Sequence, residues 1–111
     1  MNELNSNQRK ILSQAAQTLK PVIQIGQNGL TDAVLEKINQ TIAVHELIKV
    51  KFLEFKEEKH DLSREISESC QAALVRIIGN IAIFYRPAEK QEKRKFQYSL
   101  LIFRPITRTL P

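Results

Sequence analysis

A loop reading Gly26-Gln27-Asn28-Gly29 stands between a short apolar run and an amphipathic one, and Lys49 and Lys51 follow on the next alternating segment. Two glycines separated by two residues let the chain turn tightly and bring backbone N–H groups close to a ligand. Where such a loop opens onto a helix N-terminus, the aligned peptide dipoles add a partial positive charge at the same point. The ligand that suits this arrangement is a phosphate. Gln27 and Asn28 at the tip offer amide donors and carry no negative charge to oppose it. Lys49 and Lys51 supply point charges for neighbouring phosphates. The chemistry expected is a grip on a nucleic-acid backbone, with RNA in first place.

Other chemistry is poorly provided for. The pattern G-x-x-x-x-G-K-[ST] is absent and the chain has three glycines in all, which excludes a P-loop or a dinucleotide fingerprint. What is left is the shorter clamp of the kind KH domains place on a nucleic-acid backbone. His45 and His60 each neighbour an acid, Glu46 and Asp61, but adjacent strand residues point apart and no nucleophile is evidently placed beside them. His45 at a helix end has the simpler task of favouring the dipole. Cys70, the one cysteine, excludes a disulfide framework, and its spacing from Leu62 and Ile66 reads as a buried thiol. No catalytic residue, metal ligand or cofactor is expected, and the chain reads as a non-enzyme.

These groups must be held by the elements around them. Ile11, Leu12, Ala15, Ala16 and Leu19 recur at helical spacing from about Ser6 to Lys20, where Pro21 stops the helix. Val22 to Ile25 reads as a short strand. Thr31 is suited to cap a second helix, with Asp32 in its first turn and Val34, Leu35, Ile38 and Ile42 as its buried stripe. Glu46 to Phe52 alternates as a half-buried strand does, with Ile48, Val50 and Phe52 pointing one way and Leu47, Lys49 and Lys51 the other. A charged stretch, Glu54 to His60, precedes a third helix striped by Leu62, Ile66 and Cys70. Ala72 to Ile78 and Ile81 to Arg86 form a hairpin around Gly79-Asn80.

The order is α-β-α-β-α-β-β, an α/β fold of the α+β type. If the helices pack on one face of the sheet, Ile48, Val50, Phe52, Val75, Ile77, Ile81 and Ile83 face them. Alternation then sends Lys49, Lys51, Arg76 and Arg86 to the opposite face together with Phe84, there to stack on a base or sugar. This segregation matters because net charge is a weak guide. Residues 87–111 carry six basic and two acidic side chains, whereas residues 1–86 carry eleven and ten. A body this evenly balanced binds a polyanion only where its cations cluster. None of the ten acids falls on the proposed strand positions. Lys20, near the loop, extends the patch.

Length fits one domain. No signal peptide and no apolar run long enough for a bilayer is apparent, so a cytoplasmic protein with no membrane association is expected. Beyond Pro87 come a charged run, Glu89 to Lys95, and an apolar one, Phe96 to Phe103, able to add an edge strand, cover a patch or meet a partner.

With those residues in view, the sequence resembles the CRM family, the chloroplast RNA splicing and ribosome maturation domain, in its short single-domain bacterial form, often called YhbY-type. The resemblance rests on Leu19-Lys20-Pro21, Ile25-Gly26-Gln27-Asn28-Gly29-Leu30-Thr31, His45-Glu46-Leu47-Ile48-Lys49-Val50-Lys51, Ile78-Gly79 and Tyr85-Arg86-Pro87, in the family's order. It implies a four-stranded mixed sheet and a glycine loop used in RNA binding. The loop role falls on Gly26, Gln27, Asn28 and Gly29, and backbone contact on Lys20, Lys49, Lys51 and Arg86. Residues 3–87 would be the RNA-binding domain and 88–111 an extension. The implied partner is ribosomal RNA in large-subunit precursors. The alternative reading is a protein-interaction module that docks on a ribosomal protein through Phe96 to Phe103, and a monomer is expected. One departure is plain: the family often has a basic residue inside the loop, and this chain has two neutral amides.

Overall fold

The computed structural model describes residues 4–89. Helix α1 spans Ser6–Ala16, strand β1 Ile23–Ile25, helix α2 Asp32–His45 and strand β2 Leu47–Phe52. A 3-10 turn, Lys56–Glu58, leads into α3, Lys59–Cys70, and strands β3, Ala73–Ile78, and β4, Ile81–Tyr85, complete the order. The α-β-α-β-α-β-β sequence of elements and the mixed four-stranded sheet agree with expectation.

Local chemistry accounts for the boundaries. Asn5 caps α1 in a reciprocal box: its Oδ1 accepts from Gln8 N at 2.8 Å, and its own N–H donates to Gln8 Oε1 at 2.8 Å. The helix ends at Ala16, earlier than the periodicity suggests, with Leu19 N donating to Ala16 O at 3.0 Å. Thr31 Oγ1 accepts from Val34 N at 3.2 Å and starts α2. Glu46, buried and left-handed at φ 66°, closes α2 by donating its N–H to Ile42 O at 2.8 Å. At the hairpin, positive φ at Gly79 alone fits a type II′ turn, which takes glycine at its first central position.

The sheet order is β1-β2-β4-β3, with β1 parallel to β2 and the other pairs antiparallel. Its two faces are both covered, which corrects the expectation of helices on one face. Ile48, Val50, Phe52, Ala82 and Phe84 pack with Ile38, Ile42, Ile66 and Cys70 of α2 and α3. Leu47, Ala73, Val75, Ile83 and Tyr85 pack with Leu12 and Ala16 of α1. Helix α1 therefore lies on the opposite side from α2 and α3. Phe84 belongs to the α2/α3 core at 0% exposure, so it is not a surface ring. Val75 and Ile83, expected under α2 and α3, face α1 instead. A bulge between Leu74 and Arg76 shifts the register of β3 against β4 and places Arg76 opposite Ile83.

Candidate nucleic-acid interface

The glycine loop is open at its tip and packed at its base. Gly29 N donates to Gly26 O at 3.0 Å, closing the turn, and Gly29 takes φ 72°, where a side chain is strained. Gly29 itself is buried, whereas Gln27 and Asn28 are exposed. A β-carbon on Gly29 would stand 3.4 Å from Cε2 of Phe55, while one on Gly26 would meet nothing within 4 Å. The loop leads within two residues into the Thr31 cap of α2, so its amides lie at the positive end of that helix.

Sheet register brings the lysines to the loop. Ile25, the residue before Gly26, pairs with Phe52, and Lys51 precedes Phe52. Lys51 is exposed, flanked across the sheet by Gln24 of β1 and Ile81 of β4. Helix α1 covers the row Leu47, Tyr85 and Ala73, all buried, and leaves the row Gln24, Lys51, Ile81 and Ile78 uncovered to differing degrees; Ile78 is 55% exposed. Lys49 sits between these rows, half-buried. Its Nζ donates to Leu19 O at 2.9 Å, which holds the connector carrying exposed Lys20 against β2. Arg76 joins the same face, exposed, opposite Ile83. None of Lys20, Lys51 and Arg76 is ion-paired to a described carboxylate. The structure thus brings together the loop, Lys20, Lys49, Lys51 and Arg76, on a face shared with α1.

Arg86 and Phe84 fall outside that set. Arg86 Nη1 donates to Asn39 Oδ1 and to Cys70 O, both at 2.7 Å, and Nη2 reaches Asn39 O at 3.3 Å. The guanidinium clasps α2 to the end of α3, on the side away from Lys49 and Lys51. Both placements follow from one difference of register: β4 sets Phe84 opposite Ile48 and Ala82 opposite Val50, so Phe84 and Arg86 share the α2/α3 side while Ile83 opposes Lys49.

A feature that sequence reasoning missed borders the loop. Gln27, Leu53, Glu54, Phe55, Lys56, Glu57 and Glu58 line an open groove of about 550 Å³. Its three carboxylates outnumber its one cation, so this flank repels phosphate. Phe55 is 40% exposed and takes φ 57°, packed against Gly29. An aromatic residue inside a charged run was the available signal. By contrast, no acid occurs from Leu4 to Thr31, the stretch holding α1, β1 and the loop. The described cations beside the loop thus lie on its α1 side and the carboxylates of the groove on the other.

Among the described residues no group of three or more His, Cys, Asp or Glu side chains could hold a metal ion, and no helix is long and apolar enough to cross a membrane. The apolar run from Phe96 to Phe103 lies outside the described residues.

Comparison with known proteins bears on the family and the fold. The family model described as the CRS1 / YhbY (CRM) domain matches residues 4–86. The chain is 40% identical over 91 residues to a Haemophilus influenzae protein named "RNA-binding protein", covering 81% of this chain and 92% of that one. A Pseudomonas aeruginosa protein that carries the name "probable RNA-binding protein" is 35% identical over 91 residues, covering 81% and 88%. Among solved structures, that of a hypothetical protein from Staphylococcus aureus superposes with a TM-score of 0.71 at 29% identity, covering 83% of this chain and 97% of that one.

Proposed function

The chain belongs to the CRS1/YhbY (CRM) domain family, and from that premise we propose that it is a non-enzymatic RNA-binding protein that grips the RNA backbone. Residues 3–87 form the binding unit, and 88–111 are its extension. In this reading, amide hydrogens of the Gly26–Gly29 loop and the Gln27 and Asn28 side chains hold one phosphate. Lys51, Lys49, Lys20 and Arg76 follow the strand across the α1 face. Sequence is read little, because the track consists of charges and amides rather than groups shaped to base edges. The names of the relatives support RNA as the ligand.

One observation carries the reading: Lys51 stands beside the strand pair that ends at the loop, without a described carboxylate partner, while the carboxylates of the groove gather on the loop's other flank. If the track neutralises four phosphates of single-stranded RNA, log K falls against log salt with a slope of about −2.8. Affinity then drops roughly fifty-fold for a fourfold rise in salt. Titrating a ribosomal RNA fragment at several salt concentrations measures this, and a flat response rejects the backbone grip.

The cellular target in this reading is ribosomal RNA in precursors of the large subunit, in the cytoplasm. Sedimentation of native extract tests it: the protein should travel with immature large-subunit particles and be depleted from mature ones. Uniform distribution over mature ribosomes and free fractions refutes the assembly role while leaving RNA binding intact.

A further inference from the structure

Between α1 and β3, at the far side of the sheet from the glycine loop, lies a second groove of about 400 Å³. Its lining is Ser6, Lys10, Ser13, Gln14, Gln17 and Arg76. The four helix residues and the C-cap Gln17 recur at three- and four-residue spacing, a polar stripe along one side of α1. Two hydroxyls, two carboxamides, an ammonium and a guanidinium all donate hydrogen bonds, and no carboxylate is among them.

The donors are unspent. Neither Lys10 nor Arg76 is ion-paired to a described carboxylate, and α1 has no acid in its first turn. The Ser13 side chain makes no hydrogen bond to a described residue, and its hydroxyl reaches the solvent of the groove. An open hydroxyl beside two cations without a described carboxylate partner forms a set that a phosphate group fits, by charge-assisted hydrogen bonds.

Position argues for the source of that phosphate. Arg76 projects from β3 on the face that carries Lys49 and Lys51, and Ile83 separates it from Lys49 across the sheet. Three strand spacings, about 14 Å, separate β3 from β1 and its loop. A single strand of a few nucleotides spans this, with Lys51 and Lys49 beneath it.

We infer that the α1/β3 groove is a second phosphate site, holding the backbone of the same RNA strand whose other end the glycine loop grips. The inference rests on the RNA reading above and extends it: α1 becomes part of the binding surface, not only a cover for the sheet.

The test uses the full chain and the double variant Lys10→Gln/Arg76→Gln, both exposed positions outside the core. The probes are inorganic phosphate, followed by backbone amide shifts, and labelled dodecauridylate and triuridylate, followed by anisotropy across salt. Phosphate should shift Ser6, Lys10, Ser13, Gln14 and Gln17 together in the parent, and the double variant should lose this. For dodecauridylate the salt slope should fall in magnitude by about 1.4, two charges at 0.7 each. Triuridylate, too short to join the groove to the loop, should bind the parent more weakly than dodecauridylate does. A slope that falls by only about 0.7 in the double variant, the share of Arg76 already counted in the track, overturns the second site and leaves the RNA reading standing. Saturable phosphate shifts in a parent protein that binds no RNA overturn both, assigning the groove to free phosphate.

Discussion

The ring of Phe55 closes over Gly29, its Cε2 lying 3.4 Å from where a β-carbon on that glycine would stand. Two requirements meet at one residue: a left-handed φ of 72° and room beneath an aromatic ring. Gly29→Ala should therefore cost about 1–2 kcal/mol, mostly from the backbone, since the left-handed region disfavours any β-carbon. Urea unfolding of parent and variant measures the difference; an unchanged midpoint would mean that the loop does not need this conformation. A carboxylate at Gly29 would suffer the same strain, so that position is a poor place to test ligand contact.

Asn28 is the better probe, because it is exposed at the tip. Asn28→Asp swaps an amide for a carboxylate of nearly equal size and leaves the packed base of the loop untouched. At about 4 Å in a solvated site the added repulsion of a phosphate is of order 1 kcal/mol, which is roughly fivefold in affinity. Binding of a ribosomal RNA fragment at low salt reads this out. Equal affinity in the variant removes the loop tip from the mechanism.

Lys51 and Arg86 were grouped by alternation, and the structure predicts opposite behaviour for them. Lys51→Gln should lower the salt slope by about 0.7 and leave stability within about 0.5 kcal/mol, since the exposed Lys51 side chain makes no hydrogen bond to a described residue. Arg86→Gln should leave the slope alone but destabilise by about 1–3 kcal/mol, losing the bonds to Asn39 and Cys70 O. Paired denaturation and salt titrations separate the two; a reduced slope in Arg86→Gln would return that residue to the RNA track.

Phe84 separates a stacking ring from a core ring. Fully buried among α2 and α3, it should lose about 1–2 kcal/mol on replacement by Leu, through packing alone. RNA affinity of the folded variant should match the parent. Weakened RNA binding at unchanged stability would contradict the buried placement.

Much of this arrangement was legible. The alternation of Ile48, Val50 and Phe52 against Leu47, Lys49 and Lys51 is the observed division of β2, and the Thr31 cap and Gly79-Asn80 hairpin stand where their chemistry puts them. The side taken by α1 was not, because Leu12 and Ala16 fit either face equally well. A hint was present: Ile81 to Tyr85 is apolar without interruption, the mark of a strand covered on both faces. The bulge that turns Arg76 onto the lysine face depends on pairing between distant segments, which periodicity within one strand does not reveal. The acidic groove beside the loop likewise forms only when Gln27 and the segment from Leu53 to Glu58 meet in space.

Cys70 gives the fold an alkaline limit. Burial pushes its thiol above the ordinary 9.0, against a smaller opposing pull from the Arg86 guanidinium. In the unfolded chain the thiol loses its proton at a lower pH than in the folded one. Above about pH 9 the unfolded state therefore binds fewer protons, and stability falls as pH rises; below that pH the contribution is constant. The measurement is a difference between two chains that share every other group. Urea midpoints of parent and Cys70→Ala should run parallel from pH 7 to 8, then converge as the parent alone feels the thiol. The same burial should leave Cys70 unreactive toward a thiol reagent at neutral pH until urea unfolds the chain. Parallel midpoints up to pH 10, with rapid labelling of the native protein, would show the thiol open to solvent and the clasp of Arg86 on Cys70 O loose.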